Sequence, residues 1–208
     1  MDLNGDGHVD VISGRYSPGV VTFFAGSTSG FKKGAPIEEI GVDHNEMRTW
    51  MACANFADLD GDGDLDMVVG NVSGDVFYNL NTGDAKKPKF GLRRPLMLST
   101  GKPVKVNHKS DPLPVDWDGD GVLDLVVGDE WAGVTFFRGT GQRDGDGLPT
   151  FEPGVPIVPG KEKNLVPGFR VRVETADWNN DGKLDLLVGN CEQVGDKLIG
   201  NVYVFLRK

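Results

Sequence analysis

Cysteine is scarce in this chain. Only Cys53 and Cys191 occur among 208 residues; they fall in different repeats, and two make no disulfide framework, so both are expected as free thiols. Long hydrophobic runs are missing as well. No apolar stretch approaches the roughly 18 residues that a membrane-spanning helix requires. Positive charge falls short of negative, with 22 Lys and Arg against 31 Asp and Glu and a net charge of −9. That balance argues against nucleic acid as the main partner. Aromatic residues are modest at 9%. No leader segment precedes the first motif, and Met1 stands directly before an acidic loop, which points to a truncated start.

What the chain has in plenty is glycine, 30 residues of it, and aspartate in one recurring frame. The clearest copy runs Asp58-Leu59-Asp60-Gly61-Asp62-Gly63-Asp64-Leu65-Asp66 and continues into Met67-Val68-Val69-Gly70. Carboxylates stand at positions 1, 3, 5 and 9, and glycines at 4 and 6 let the backbone turn sharply enough to gather them. Like charges this close repel unless a cation lies among them, and an all-oxygen donor set suits a hard ion, Ca2+ above Mg2+. The loop opens like an EF-hand, but Val69 takes the place of the bidentate Glu, and a short apolar run closed by glycine follows instead of a helix. The expectation is a calcium loop between two strands.

Three further copies share the frame. Asp2, Asn4, Asp6 and Asp10 form the first; Asp116, Asp118, Asp120 and Asp124 the third; Asp177, Asn179, Asp181 and Asp185 the fourth. Position 7 is His8, Asp64, Val122 or Lys183, each expected to bind through its backbone carbonyl. The sites are read as about four structural Ca2+, which would nearly cancel the net charge. The first Asp falls at 2, 58, 116 and 177, so the spacing is 56, 58 and 61 residues, and a fixed period of this size marks a repeat architecture.

The repeat reaches beyond the loop. Val20, Val76 and Val134 follow each first Asp at one spacing, with Thr22, Tyr78 and Phe136 two residues on, an alternation that reads as a strand. The fourth valine, Val202, comes seven residues late, and the extra residues lie in the Cys191–Gly200 stretch. Phe31, Phe90 and Phe151 follow a turn, and Pro36, Pro95 and Pro156 come five residues later, which fits an edge strand. Each unit thus holds four strands: A before the loop, B after it, C with the valine, and D with Phe and Pro. The fold expected is all-β, a β-propeller of four-stranded antiparallel blades with a calcium loop between strands A and B. It is a single domain over 1–208, with repeats at about 1–45, 46–105, 106–165 and 166–208. The first repeat lacks its strand A and the fourth its strand D. A four-bladed ring would be incomplete at its seam, so the count favours part of a larger ring, and self-association through the incomplete ends is the other way to satisfy it.

The pattern resembles the FG-GAP and VCBS-type calcium-binding propeller repeats of secreted bacterial proteins, and the loops resemble the cation loops of integrin α subunits. The resemblance covers nearly the whole chain. It implies an extracellular or periplasmic location, with roles spread over adhesion, carbohydrate binding and polysaccharide lysis. It also implies that the A–B loops lie on one face and the D–A and B–C loops on the other. Calcium is then structural, and a ligand belongs on the opposite face.

On that face the repeats stop resembling one another. Tyr16 and Trp131 are candidate stacking platforms for a sugar, with His108, Lys109, Arg170 and Arg172 as polar partners for an anionic group. His44 and Arg48 belong to the same set of loops. Trp117 and Trp178, at position 2 of their loops, are expected to pack between blades, and Asp144-Gly145-Asp146-Gly147 to be an acidic turn rather than a fifth metal loop. The favoured function is a calcium-stabilised module that recognises a glycan or a protein and is not an enzyme. The alternatives are a polysaccharide lyase, with His44 or His108 as base and Tyr16 as acid, and a purely structural array.

Overall fold

Each acidic turn feeds a run of β-branched and apolar residues; each run pairs with the strand that follows it and, in every repeat but the first, with the strand before the turn as well. The computed structural model describes residues 1–40, 42–43, 50–131, 133–159 and 168–208. His44 and Arg48 lie outside them. Among the described residues there is no helix, so none that is long and apolar enough to cross a membrane.

The first sheet holds β1 (Val11–Gly14), β2 (Val21–Phe24) and β3 (Ala35–Pro36) in that order. After β4 (Glu39–Ile40), the second sheet is built from β5 (Cys53–Ala57), β6 (Asp66–Gly70), β7 (Val76–Asn79) and, past β8 (Phe90–Leu92), β9 (Arg94–Pro95). β4 and β8 pair with each other in parallel. The third sheet joins β10 (Asp111–Val115), β11 (Asp124–Gly128) and β12 (Gly133–Phe137) to β15 (Val155–Pro159). A hairpin of β13 (Gly139–Arg143) and β14 (Pro149–Phe151) is interposed. The fourth sheet is β16 (Phe169–Ala176), β17 (Asp185–Val194) and β18 (Lys197–Phe205).

Three, four, four and three strands per sheet agree with the strands expected from the repeats. Proline lies on the outer edge strand as expected: Pro36 opposite Thr22, Pro95 opposite Phe77, Pro156 opposite Thr135. Three details differ. In the first sheet Gly14 pairs with Val21, as Gly70 pairs with Val76 and Gly128 with Val134, so Val21 and Phe23 replace Val20 and Thr22 in the shared frame. The phenylalanines do not sit on the edge strands: Phe90 is in β8, Phe151 in β14, and Phe31 is exposed. The Cys191–Gly200 stretch is not a loose loop but lengthens the β17–β18 ladder, pairing Cys191 with Gly200 and Val194 with Lys197.

Among the described residues the core forms three clusters, one between each pair of successive sheets. Because side chains alternate along a strand, each inner sheet has a face toward its predecessor and a face toward its successor. Val68, Val76 and Tyr78 of the second sheet meet Leu125, Val127 and Phe137 of the third. Ile12, Val21 and Phe23 of the first meet Met67 and Val69 of the second, and Val126, Val134 and Phe136 of the third meet Leu186 and Val188 of the fourth. The glycine that closes strand B in the first three sheets answers to this packing. A Cβ on Gly70 would stand 2.1 Å from the Ser110 carbonyl oxygen, where the next sheet's inner strand passes.

Candidate metal loops and the opposite face

The four acidic loops are held by one set of bonds. The position-1 carboxylate accepts backbone N–H bonds from across the turn: Gly7 to Asp2 at 2.8 Å, Gly63 to Asp58 at 3.0 Å, Gly121 to Asp116 at 3.0 Å and Gly182 to Asp177 at 2.9 Å. The position-3 oxygen of Asn4, Asp60, Asp118 or Asn179 accepts the N–H of position 5. Position 5 in turn accepts the N–H of His8, Asp64, Val122 or Lys183. These closures need left-handed backbone at the turn, which Gly61 and Gly63 supply at φ 87° and 93°.

Position 9 has a second role that the spacing did not reveal. Asp10, Asp66, Asp124 and Asp185 are all buried. One oxygen of each accepts the N–H of position 2 in its own loop: Leu3, Leu59, Trp117 or Trp178. The other accepts an N–H just beyond strand C: Gly26, Asn81, Gly139 or Arg207, at 2.7 to 2.8 Å. The residue therefore ties the loop to the third strand of its sheet. Burial pushes the Asp66 carboxyl up to about 6, against the pull of its two N–H donors.

Asp58, Asp60 and Asp66 place carboxylate oxygens within 4.8 Å of one another, and so do Asp116, Asp118 and Asp120. This is a donor set that can hold a metal ion, and it is made of oxygen alone. A carboxylate oxygen that accepts one N–H keeps a second lone pair, so position 9 can serve both partners. In the first and fourth loops the neutral Asn4 and Asn179 stand where the others have Asp, so each loop carries one carboxylate fewer, and each Asn donates to the position-5 carboxylate. In the third loop Arg138, which has no counterpart in the motif, lies 2.8 Å from both Asp118 and Asp120 and holds the Asp120 carboxyl below its ordinary range. Asp144 accepts N–H bonds from Asp146 and Leu148, and Arg94 pairs with Asp146.

The far ends of the sheets are joined by backbone bonds between successive units. Met51 donates to Tyr16, Lys109 to Val72, and Arg170 to Glu130. Met51, Lys109 and Arg170 all adopt positive φ, of 60°, 49° and 60°, one at each junction. His108, Lys109, Trp131 and Arg170 gather around Glu130. The Glu130 N–H donates to the His108 carbonyl, the Lys109 ammonium binds the Glu130 carboxylate at 2.6 Å, and Trp131 follows in the chain. Lys109 is buried in that ion pair, so it is a structural cation rather than a ligand contact. Tyr16, half exposed, belongs to the junction of the first and second sheets. Arg170 lies over the Phe169 ring.

Arg172 alone of the six reaches the central cavity of 480 Å³ between the sheets. Cys53, Asp111 and Arg172 occupy one equivalent place there, opposite Gly70, Gly128 and Gly189. Asp111 accepts the Val173 N–H at 2.8 Å and lies 4.0 Å from the Arg172 guanidinium. Burial raises its carboxyl above the usual range and pushes the Cys53 thiol up to about 12. Cys53 and Cys191 are free thiols. Only the equivalence of strand A across repeats, read position by position, points to Asp111 from the sequence.

Trp117 packs against the cluster between the third and fourth sheets, with Arg207 over its ring. Trp178 does not pack: it is 60% exposed. The expectation for it fails because no sheet covers the fourth on that side among the described residues. A family model described as FG-GAP-like repeat matches residues 2–69 and 116–188, each match opening on the first Asp of a loop and closing in the strand B of the next. No curated protein matches the chain.

Proposed function

From the premise that this chain belongs to the FG-GAP-like repeat family, we propose that it is an extracellular interaction module, built as a β-propeller or part of one and stiffened by calcium. The carrying observation is that four loops, far apart in sequence, share one hydrogen-bond frame, and that in the second and third of them three carboxylates bring oxygens within 4.8 Å of one another. Positions 1, 3, 5 and 9 hold the ion in each, and the ion removes the carboxylate repulsion that the loop otherwise carries. Because every loop supplies its own ligands, calcium acts on stability and not on a substrate.

The ligand-facing surface is the opposite one, where the loops differ. Its support is the group around Glu130, with Trp131, His108 and Arg170 at the surface, and Arg172 beside it at the cavity. A glycan or a protein loop meets there an aromatic platform and guanidinium groups, which suit carboxylates and sulfates. Of the two bases that the lyase alternative names, His108 belongs to a different junction from Tyr16, and His44 lies outside the described residues. A glycan array with Trp131→Ala and Arg170→Ala as controls tests the reading. Binding that survives both variants moves the ligand site elsewhere, and no binding to any glycan leaves a protein partner or the structural array.

A further inference from the structure

Four equivalent places make up the face that each sheet turns to its successor. In the second sheet they are Leu59, Val68, Val76 and Tyr78, with exposures of 1%, 0%, 0% and 4%. In the fourth sheet the same places hold Trp178, Leu187, Val202 and Val204, and here Trp178 is 60% and Val202 69% exposed. The residue types are those of a buried junction, yet Trp178 and Val202 stand exposed and Leu187 and Val204 are only half-buried; Leu187 and Val202 border the central cavity, which Gly14 of the first sheet also lines. The first sheet shows the reciprocal. Val11 occupies the place of Met67, Leu125 and Leu186, which are 0%, 0% and 3% exposed, and it is 41% exposed. Beside it Phe24 stands where the third sheet has Phe137. Gly34 lies under the Phe24 ring as Gly154 lies under Phe137, so the two faces are built alike.

We propose that a second copy of this chain docks here, laying the Val11–Phe24 face of its first sheet on the Trp178–Val202 face of the fourth. The three existing junctions carry the argument: each joins a successor-facing surface to a predecessor-facing surface, and one bare example of each remains among the described residues. The new junction continues that series with the same chemistry. It is head-to-tail, so each copy gives one surface and receives one, and two copies can satisfy both by closing on each other. An exposed tryptophan within an apolar patch is the kind of residue that dominates association energy.

Sedimentation equilibrium of the whole chain in millimolar calcium tests the proposal, with Val202→Asp and Val11→Asp as single variants. Both sites are exposed, so the folds should survive, and circular dichroism checks this; Trp178→Ser is a second, milder variant of the fourth-sheet face. The wild type should self-associate and each Asp variant should be monomeric. A mixture of the two Asp variants should form dimers and nothing larger, because one intact junction remains between them. A monomeric wild type overturns the proposal. So does association that all three single variants retain, or a mixture that stays monomeric. A monomer whose melting temperature falls in Val202→Asp would show the chain closing on itself, and also overturns it.

Discussion

The second and fourth sheets carry the same acidic loop and differ in what lies against them. Their loops are tied by the same N–H bonds to positions 1, 3, 5 and 9. Yet Val76 is fully buried, and its counterpart Val202 is 69% exposed. What a repeat does with its own backbone is written within it. What its outer face does depends on a neighbour, and the residue types alone do not say whether one is present.

The largest expected effect is Asp66→Ala. It strands the buried N–H groups of Leu59 and Asn81, at about 1–3 kcal/mol each. Urea unfolding in EDTA should show a loss of roughly 2–6 kcal/mol. Asp185→Ala removes the same two bonds, but its donors border solvent, so its loss should be smaller. An equal or larger loss at Asp185 would break the comparison from the loop side.

Next comes the packing difference itself. Val76→Ala should cost about 2 kcal/mol, since it deletes two buried methyl groups. Val202→Ala measured on the monomer should stay within about 0.5 kcal/mol, as for an ordinary surface change. Similar losses at both sites would mean that the fourth sheet is covered after all.

A smaller effect concerns Cys53. Burial raises its thiol pKa to about 12, against 9.0 for the ordinary thiol. The folded state therefore holds the proton where the unfolded state releases it, and stability should fall as pH rises from about 9 toward 12. Replacing Cys53 by Ala should flatten that part of the pH–stability curve. At neutral pH, iodoacetamide should modify the half-buried Cys191 and spare Cys53. The smallest expected change is Arg138→Gln, which removes a resident cation from Asp118 and Asp120 and should tighten calcium at the third loop alone.

The metal motif was legible because its spacing is local: nine residues close on themselves, whatever surrounds them. The strand order was legible for a similar reason, since the apolar run closed by glycine and the edge proline recur at one period. Other features were not legible because they depend on partners distant in sequence. Asp66 reads as a metal ligand by spacing, but only the fold shows it bonded to Asn81 across the sheet. Lys109 reads as a free surface cation until Glu130 is brought against it. Val21 takes the place assigned to Val20 because the first B–C connection is one residue longer before pairing resumes. Trp178 carries the same residue type as Trp117, and what separates them is the fourth sheet's cluster packed against Trp117.

The account rests most heavily on calcium as a stability element of the four loops, and calorimetry tests that directly. The melting temperature should be measured in EDTA and in millimolar calcium, with Asp62→Ala beside the wild type. One site filled to about a hundred times its Kd adds about 2.7 kcal/mol, which raises the melting temperature of a chain this size by roughly 5–10 °C. The account predicts at least that rise for the wild type and a smaller rise for Asp62→Ala. A melting temperature that calcium leaves unchanged would contradict it.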